Sequence, residues 1–248
     1  MNNATFRFYA ELNDFLPANR RFSYFNMEFP DGQTVKHLIE SCGIPHTEVD
    51  LILVNGSSRG FAYQVQHGDR ISVYPVFESL DISCVANLRS VPLRKTAFVL
   101  DCHLGRLAAY MRLLGFDVLY RNDYNDAQLA DISQKEKRIC VTRDRGLLKR
   151  NQIEHGYLIR ATDPREQTVE LIRRFQLNNE IHPFIRCVRC NGKLSPVPVS
   201  KIQEKLQPGT LAQSHDFSQC ADCGQVYWQG SHFQQLMKFI EFIKSQTA

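Results

Sequence analysis

Cysteines and aspartates are the residues in this chain whose types and spacing could do chemistry. Cys187-Val188-Arg189-Cys190 and Cys220-Ala221-Asp222-Cys223 are two CxxC pairs, with glycines Gly192 and Gly224 close behind. A CxxC turn presents two thiolates, and two such turns complete a tetrahedral Zn²⁺ site. With cysteine at all four positions no coordination place is left for a substrate, so the expected role of that zinc is structural. A redox pair is the alternative reading, and the presence of two matched pairs argues against it. The other four of the eight cysteines, Cys42, Cys84, Cys102 and Cys140, are scattered singly. That is unlike the framework of a secreted disulfide scaffold.

The aspartates recur where strands are expected to end. Asp101 closes the apolar run Ala97–Leu100, and Asp144 follows Ile139–Thr142. Asp163 follows Tyr157–Arg160, while Asp123 and Asp126 follow Asp117–Tyr120. In open parallel sheets ligands bind beyond the carboxyl ends of the strands. Carboxylates gathered there repel one another unless a cation sits between them. Hard oxygen donors suit Mg²⁺ or Mn²⁺, and the chemistry this permits is phosphodiester hydrolysis by a metal-activated water. Asp126 before Ala127, and Asp163 before Pro164, read equally well as helix caps. Asp101 and Asp144 favour the ligand reading. Around the acids stand Arg106, Arg112, Arg121, Arg143, Arg145, Lys149 and Arg150. The arginine guanidiniums suit phosphate contact, although for Arg112 and Lys149 a solvated helix face is the better reading.

The elements that must position these residues alternate. Apolar strand runs are separated by helices at about 104–114, 126–137, 146–150 and 164–175, the last opened by Pro164 at a first helical position. That β-α-β-α rhythm predicts a parallel sheet with flanking helices over 96–178. The cysteine pairs, short strands and a terminal amphipathic helix at 234–245 occupy 179–248. Ahead of them, residues 1–80 order two strands, a short helix capped by Thr34, a strand Leu51–Val54 closed by Asn55-Gly56, and a strand from Arg70 to Val76. That order predicts a β-grasp domain, joined to the rest by an irregular linker at 81–95.

Composition bounds the rest. The chain has 248 residues, 43% hydrophobic and 23% charged, as ordinary folded proteins do. No stretch reaches the roughly 18 apolar residues of a membrane span, and the first residues lack a signal-peptide pattern, so the expected location is cytoplasmic. Residues 1–80 hold six Lys/Arg against nine Asp/Glu (net −3), whereas 94–178 hold sixteen against eleven (net +5). An acidic head on a basic body points the body toward an anionic partner.

The head resembles the ubiquitin-like sulfur carriers of thiamine and molybdopterin synthesis, through FRFYAEL, the LVNG turn and HGDRISVYPVF. Those carriers end in a free Gly-Gly, whereas this chain runs on through Pro75-Val76-Phe77-Glu78. The head is therefore expected to bind a protein partner rather than to carry sulfur. The segments FVLDCHLGRLAAYMRLLGFDVLYRNDYNDAQLADIS, RICVTRDRGLLKR and HGYLIRATDPREQ resemble the PIN-like Mut-seven C-terminal RNase family. PFIRCVRCNGKL and CADCGQVYWQGSHFQQL continue the likeness into its zinc-ribbon end. The resemblance implies a metal-dependent nuclease site at Asp101, Asp126 and Asp144, with Asp123 and Asp163 as secondary candidates. The +5 balance of 94–178 and the arginines beside the acids point to single-stranded RNA as partner, with Arg106, Arg143 and Arg145 as contact candidates; Arg143 and Arg145 are adjacent and point in different directions, so one of the two is expected to face phosphate. The alternative is a non-catalytic RNA- or protein-binding protein that keeps the fold. His232 reads as a packing or RNA-contact residue, and Tyr227 and Trp228 suit base stacking and strand packing equally.

Overall fold

The computed structural model describes residues 1–75, 96–206 and 216–247; the linker expected at 81–95 lies outside them. The chain divides into two compact units, Met1–Lys95 with Asp126–Leu158, and Thr96–Asn125 with Ile159–Ala248.

The first unit carries the expected β-grasp. Strands β1 (Asn2–Phe8), β2 (Phe25–Phe29), β3 (Val49–Val54), β4 (Ser57–Ser58) and β5 (Arg70–Pro75) form one sheet in the order β2-β1-β5-β3-β4. β1 and β5 run parallel, and the other pairings are antiparallel. Asn55 and Gly56 both have positive φ, 51° and 83°, and close the β3–β4 hairpin. A two-residue turn matched to strand twist requires that geometry, and Asn-Gly supplies it at little steric cost. Helix α1 (Val35–Ser41) starts at Thr34, whose hydroxyl accepts from the His37 amide. Phe6, Phe8, Ile39, Ile52 and Ile71 are fully buried and form the core of the head.

The same unit contains α3 (Asp126–Glu136), β8 (Ile139–Thr142), the single-turn α4 (Arg145–Leu148) and β9 (Gly156–Leu158), with β8 and β9 parallel. Buried polar groups join them to the head. The Glu48 carboxylate accepts from the Leu158 amide at 2.8 Å. The His46 ring bridges the Glu40 carboxylate (2.8 Å) and the Ile153 carbonyl (3.1 Å). Lys149 donates to the Glu40 carbonyl, and Lys36 to the Asn151 side chain. Glu48 is 1% exposed, so its carboxylate completes a backbone hydrogen bond that water cannot reach.

In the second unit β6 (Ala97–Leu100) pairs in parallel with β7 (Asp117–Tyr120) across α2 (Gly105–Leu113). This is the parallel α/β pattern that the alternation predicts. α5 (Pro164–Arg174) packs on α2 and on the terminal helix α6 (Phe233–Thr247). Strands β10 (Leu194–Pro196), β11 (Phe217–Cys220) and β12 (Val226–Trp228) form an antiparallel three-stranded ribbon. Ile202, Phe217 and Val226 make its small core.

Candidate metal centre and active site

The sulfurs of Cys187, Cys190, Cys220 and Cys223 gather so that all four lie within 4.8 Å of one another. Cys187 and Cys223 are 3.6 Å apart and Cys190 and Cys220 3.4 Å, too long for disulfides. A tetrahedron with ~2.3 Å metal–sulfur bonds has edges of about 3.8 Å, so the cluster is sized to hold one metal ion. Burial pushes the Cys187 thiol up, but the Tyr227 hydroxyl at 3.1 Å and the amides of Cys190 and Arg189 outweigh it and bring it down to about 7. Burial and the neighbouring sulfurs push Cys190 up to about 12. Thiolates this close cannot all ionise without a cation among them. Gly192 keeps the site open, since a Cβ there would lie 2.7 Å from the Cys220 sulfur. Tyr227, open between stacking and packing in the sequence, is a hydrogen-bond partner of a cluster cysteine; Trp228 stays 42% exposed and His232 is exposed outside the cluster.

The first knuckle is tied to β7 and α2 by a residue expected on a solvated face. Arg112 is 4% exposed. Its Nε donates to the Val118 carbonyl (2.9 Å), and Nη1 donates to the carbonyls of Val188 (3.2 Å) and Arg189 (3.0 Å). Asn191 receives the Val118 amide and donates to Asp117, which also pairs with Arg186 at 3.1 Å. Burial lowers the Arg112 pKa, yet a guanidinium remains charged.

The acids divide by environment. Asp101 is buried (8% exposed) just past the end of β6 and makes no side-chain cap bond to the turn that follows. Its carboxylate, the Cys102 sulfur and a His103 ring nitrogen lie within 4.8 Å of one another. Hydrogen bonding to Asp101 raises the Cys102 pKa. Asp144 is exposed and caps α4, accepting from the Gly146 amide at 2.7 Å. Asp126 opens α3 with an exposed carboxylate 3.6 Å from Arg150. Asp163 caps α5 by accepting from the Arg165 and Glu166 amides. Asp123 is held by Arg121 through two hydrogen bonds, 2.9 and 2.6 Å, which lower its pKa. The structure thus brings Asp126 and Asp144 into one unit and Asp101, Asp123 and Asp163 into the other.

Of the basic candidates, Arg106 and Arg143 are exposed. Arg145 has its guanidinium 5.2 Å over the Phe15 ring of the head. Lys149 also turns to the head, as described above, rather than to solvent.

A family model described as the Mut7-C RNAse domain matches residues 96–240. The chain belongs to the Mut7-C RNAse domain family. A second model, Mut7-C ubiquitin, matches residues 1–81, so the β-grasp head precedes the RNase domain in the order expected of this family. No curated protein and no solved structure matches the chain. Family membership supports a ribonuclease-type function, and the four-cysteine cluster falls within the matched segment. Among the described residues, no helix is long and apolar enough to cross a membrane.

Proposed function

We propose that the chain is a divalent-metal-dependent ribonuclease that hydrolyses phosphodiester bonds of single-stranded RNA. The observation that carries this reading is Asp101: a carboxylate buried just past the carboxyl end of a parallel strand, not used as a helix cap, in a Mut7-C RNAse domain. Asp126 and Asp144 are the further ligand candidates of this proposal, with Asp123 and Asp163 as secondary ones. Mg²⁺ or Mn²⁺, when bound, would lower the pKa of a water and neutralise the leaving oxygen. The chain's own part is to supply the carboxylates and to place Arg106 and Arg143 against phosphate oxygens.

The four cysteines bind a structural Zn²⁺ in this account, because four thiolates at tetrahedral spacing are its usual ligand set. A cytoplasmic site of action follows, since four cluster thiols stay reduced there. The cap bond of Asp144 favours a second reading, in which the fold binds RNA or protein without cleaving. Zinc-loaded protein incubated with labelled single-stranded RNA separates the two. Cleavage that appears with Mg²⁺ or Mn²⁺ and stops without them supports the nuclease; binding with no cleavage under either metal leaves the non-catalytic reading.

A further inference from the structure

The net charge of −3 hides an uneven head. Three of its nine carboxylates are engaged internally: Glu40 with His46, Glu48 with the Leu158 amide, and Asp69 with Asn55, Tyr63 and the Gln66 amide. The sheet face opposite the core is different. Thr5 and Arg7 of β1, with Tyr9 just past its end, lie beside Arg70, Ser72 and Tyr74 of β5, and none of them is acidic. Glu28 sits at the far end, opposite Asn3.

On this face the Arg7 guanidinium lies 4.9 Å over Tyr9 and 5.0 Å over Tyr24, and that of Arg70 lies 4.5 Å over Tyr24. Tyr9 and Tyr74 stack with ring centroids 4.3 Å apart. Tyr24 is 38% exposed and Arg70 is exposed. Among the described residues neither guanidinium pairs with a carboxylate. Tyr9, Arg70 and Arg7 beside it bring the Tyr24 phenol down to about 8. Two guanidiniums against one exposed tyrosine make a place that favours negative charge.

We propose that this face of the ubiquitin-like head binds single-stranded RNA, with a phosphate at Arg7 and Arg70 and bases against the tyrosine and guanidinium planes. The inference rests on the RNA reading above and adds a second contact surface to it. Guanidiniums select phosphate by charge and geometry, and aromatic or guanidinium planes accept any unpaired base. A duplex offers no free base faces, so the single strand is the form that fits. The two unpaired charges, placed among aromatic rings rather than acids, give the charge complementarity with a nucleic acid that the head's net charge lacks.

The test uses the full chain, zinc-loaded and without Mg²⁺ or Mn²⁺, with a fluorescently labelled oligouridylate read by anisotropy. The double variant Arg7→Gln/Arg70→Gln should bind about tenfold more weakly, and its slope of log Kd against log salt should fall by about 0.7, the value for one lost single-strand phosphate contact. Phosphate binding should draw the guanidiniums away from Tyr24, so near-ultraviolet tyrosinate absorbance at pH about 8 should drop as RNA is added. Tyr24→Phe should abolish that change, and it keeps the ring, so it separates the site from mere loss of packing. Unchanged affinity and slope in the double variant would overturn the proposal. So would full displacement of the RNA from this face by polyglutamate at equal charge concentration, which would assign the face to an acidic protein segment. Cleavage is read separately with Asp101→Asn. Loss of affinity in the arginine variant with cleavage unchanged in Asp101→Asn keeps this proposal and refutes the catalytic one; the reverse pattern does the opposite.

Discussion

Replacing Arg112 by Met keeps most of the buried stem and removes every donor. Three backbone carbonyls, those of Val118, Val188 and Arg189, then lose a charged partner at 2.9–3.2 Å, and that of Tyr120 a longer one at 3.5 Å, in a site where the residue is 4% exposed. A hydrogen bond to a charged group is worth ~1.5–3 kcal/mol, and bonds made by one group are not additive. A loss of about 3–5 kcal/mol follows. For a chain of this size that is roughly 10 °C in Tm. Because Val188 and Arg189 lie between Cys187 and Cys190, the metal knuckle should loosen along with α2 and β7. Thermal unfolding followed by circular dichroism, together with the rate of zinc transfer to a chromogenic chelator, checks both effects. Arg112→Lys should recover little, since one ammonium cannot span three carbonyls. A fall in Tm of less than about 2 °C with an unchanged zinc-release rate would show that Arg112 does not couple the ribbon to the RNase domain.

Other consequences are more local. The purified chain should contain about one zinc, and Cys190→Ser or Gly192→Ala should lose most of it, read by elemental analysis; full occupancy in Gly192→Ala would contradict the close approach to Cys220. Glu48→Ala strands the buried Leu158 amide and should lower stability by about 1–3 kcal/mol in urea denaturation, with no change in zinc content. One tyrosine should titrate near pH 8 and disappear in Tyr24→Phe. Its folded pKa lies below the unfolded value of ~10, so its contribution to stability is absent below about pH 8, grows between the two values and is complete above the unfolded one. A flat absorbance titration through pH 8 would refute the influence of Tyr9, Arg70 and Arg7 on Tyr24.

Features with local causes were legible in the sequence. The CxxC pairs form a four-sulfur cluster, Asn55-Gly56 makes its two-residue turn, Thr34 caps its helix, and the strand–helix alternation yields parallel pairs. What stayed hidden depends on partners far along the chain. Arg112 borders the apolar stripe of α2 and reads as a surface residue until the knuckle carbonyls, 76 and 77 residues away, are placed beside it. Glu48 finds its partner 110 residues on, and Lys149 finds its own 109 residues back in the head. The acids illustrate a different limit. An aspartate at the start of a helix satisfies free amides and could ligate a cation with the same sequence signature, so Asp144, which favours the ligand reading in the sequence, caps its helix just as Asp163 does. Residue-by-residue charge likewise missed the Arg–Tyr face, because summing over the head mixes carboxylates engaged internally with guanidiniums displayed on a sheet.

The central claim is that Asp101 serves metal-dependent RNA cleavage. Its most direct test is cleavage of labelled single-stranded RNA by wild type and Asp101→Asn at matched zinc content and saturating Mn²⁺. Asn keeps the size and polarity of the side chain while removing the charge that would hold a cation, so the fold should persist, as zinc content and Tm can verify. The account predicts that wild type cleaves and that the variant is slower by at least about a hundredfold, as for removal of a group that stabilises charge in the transition state. Equal cleavage by the two proteins would contradict it.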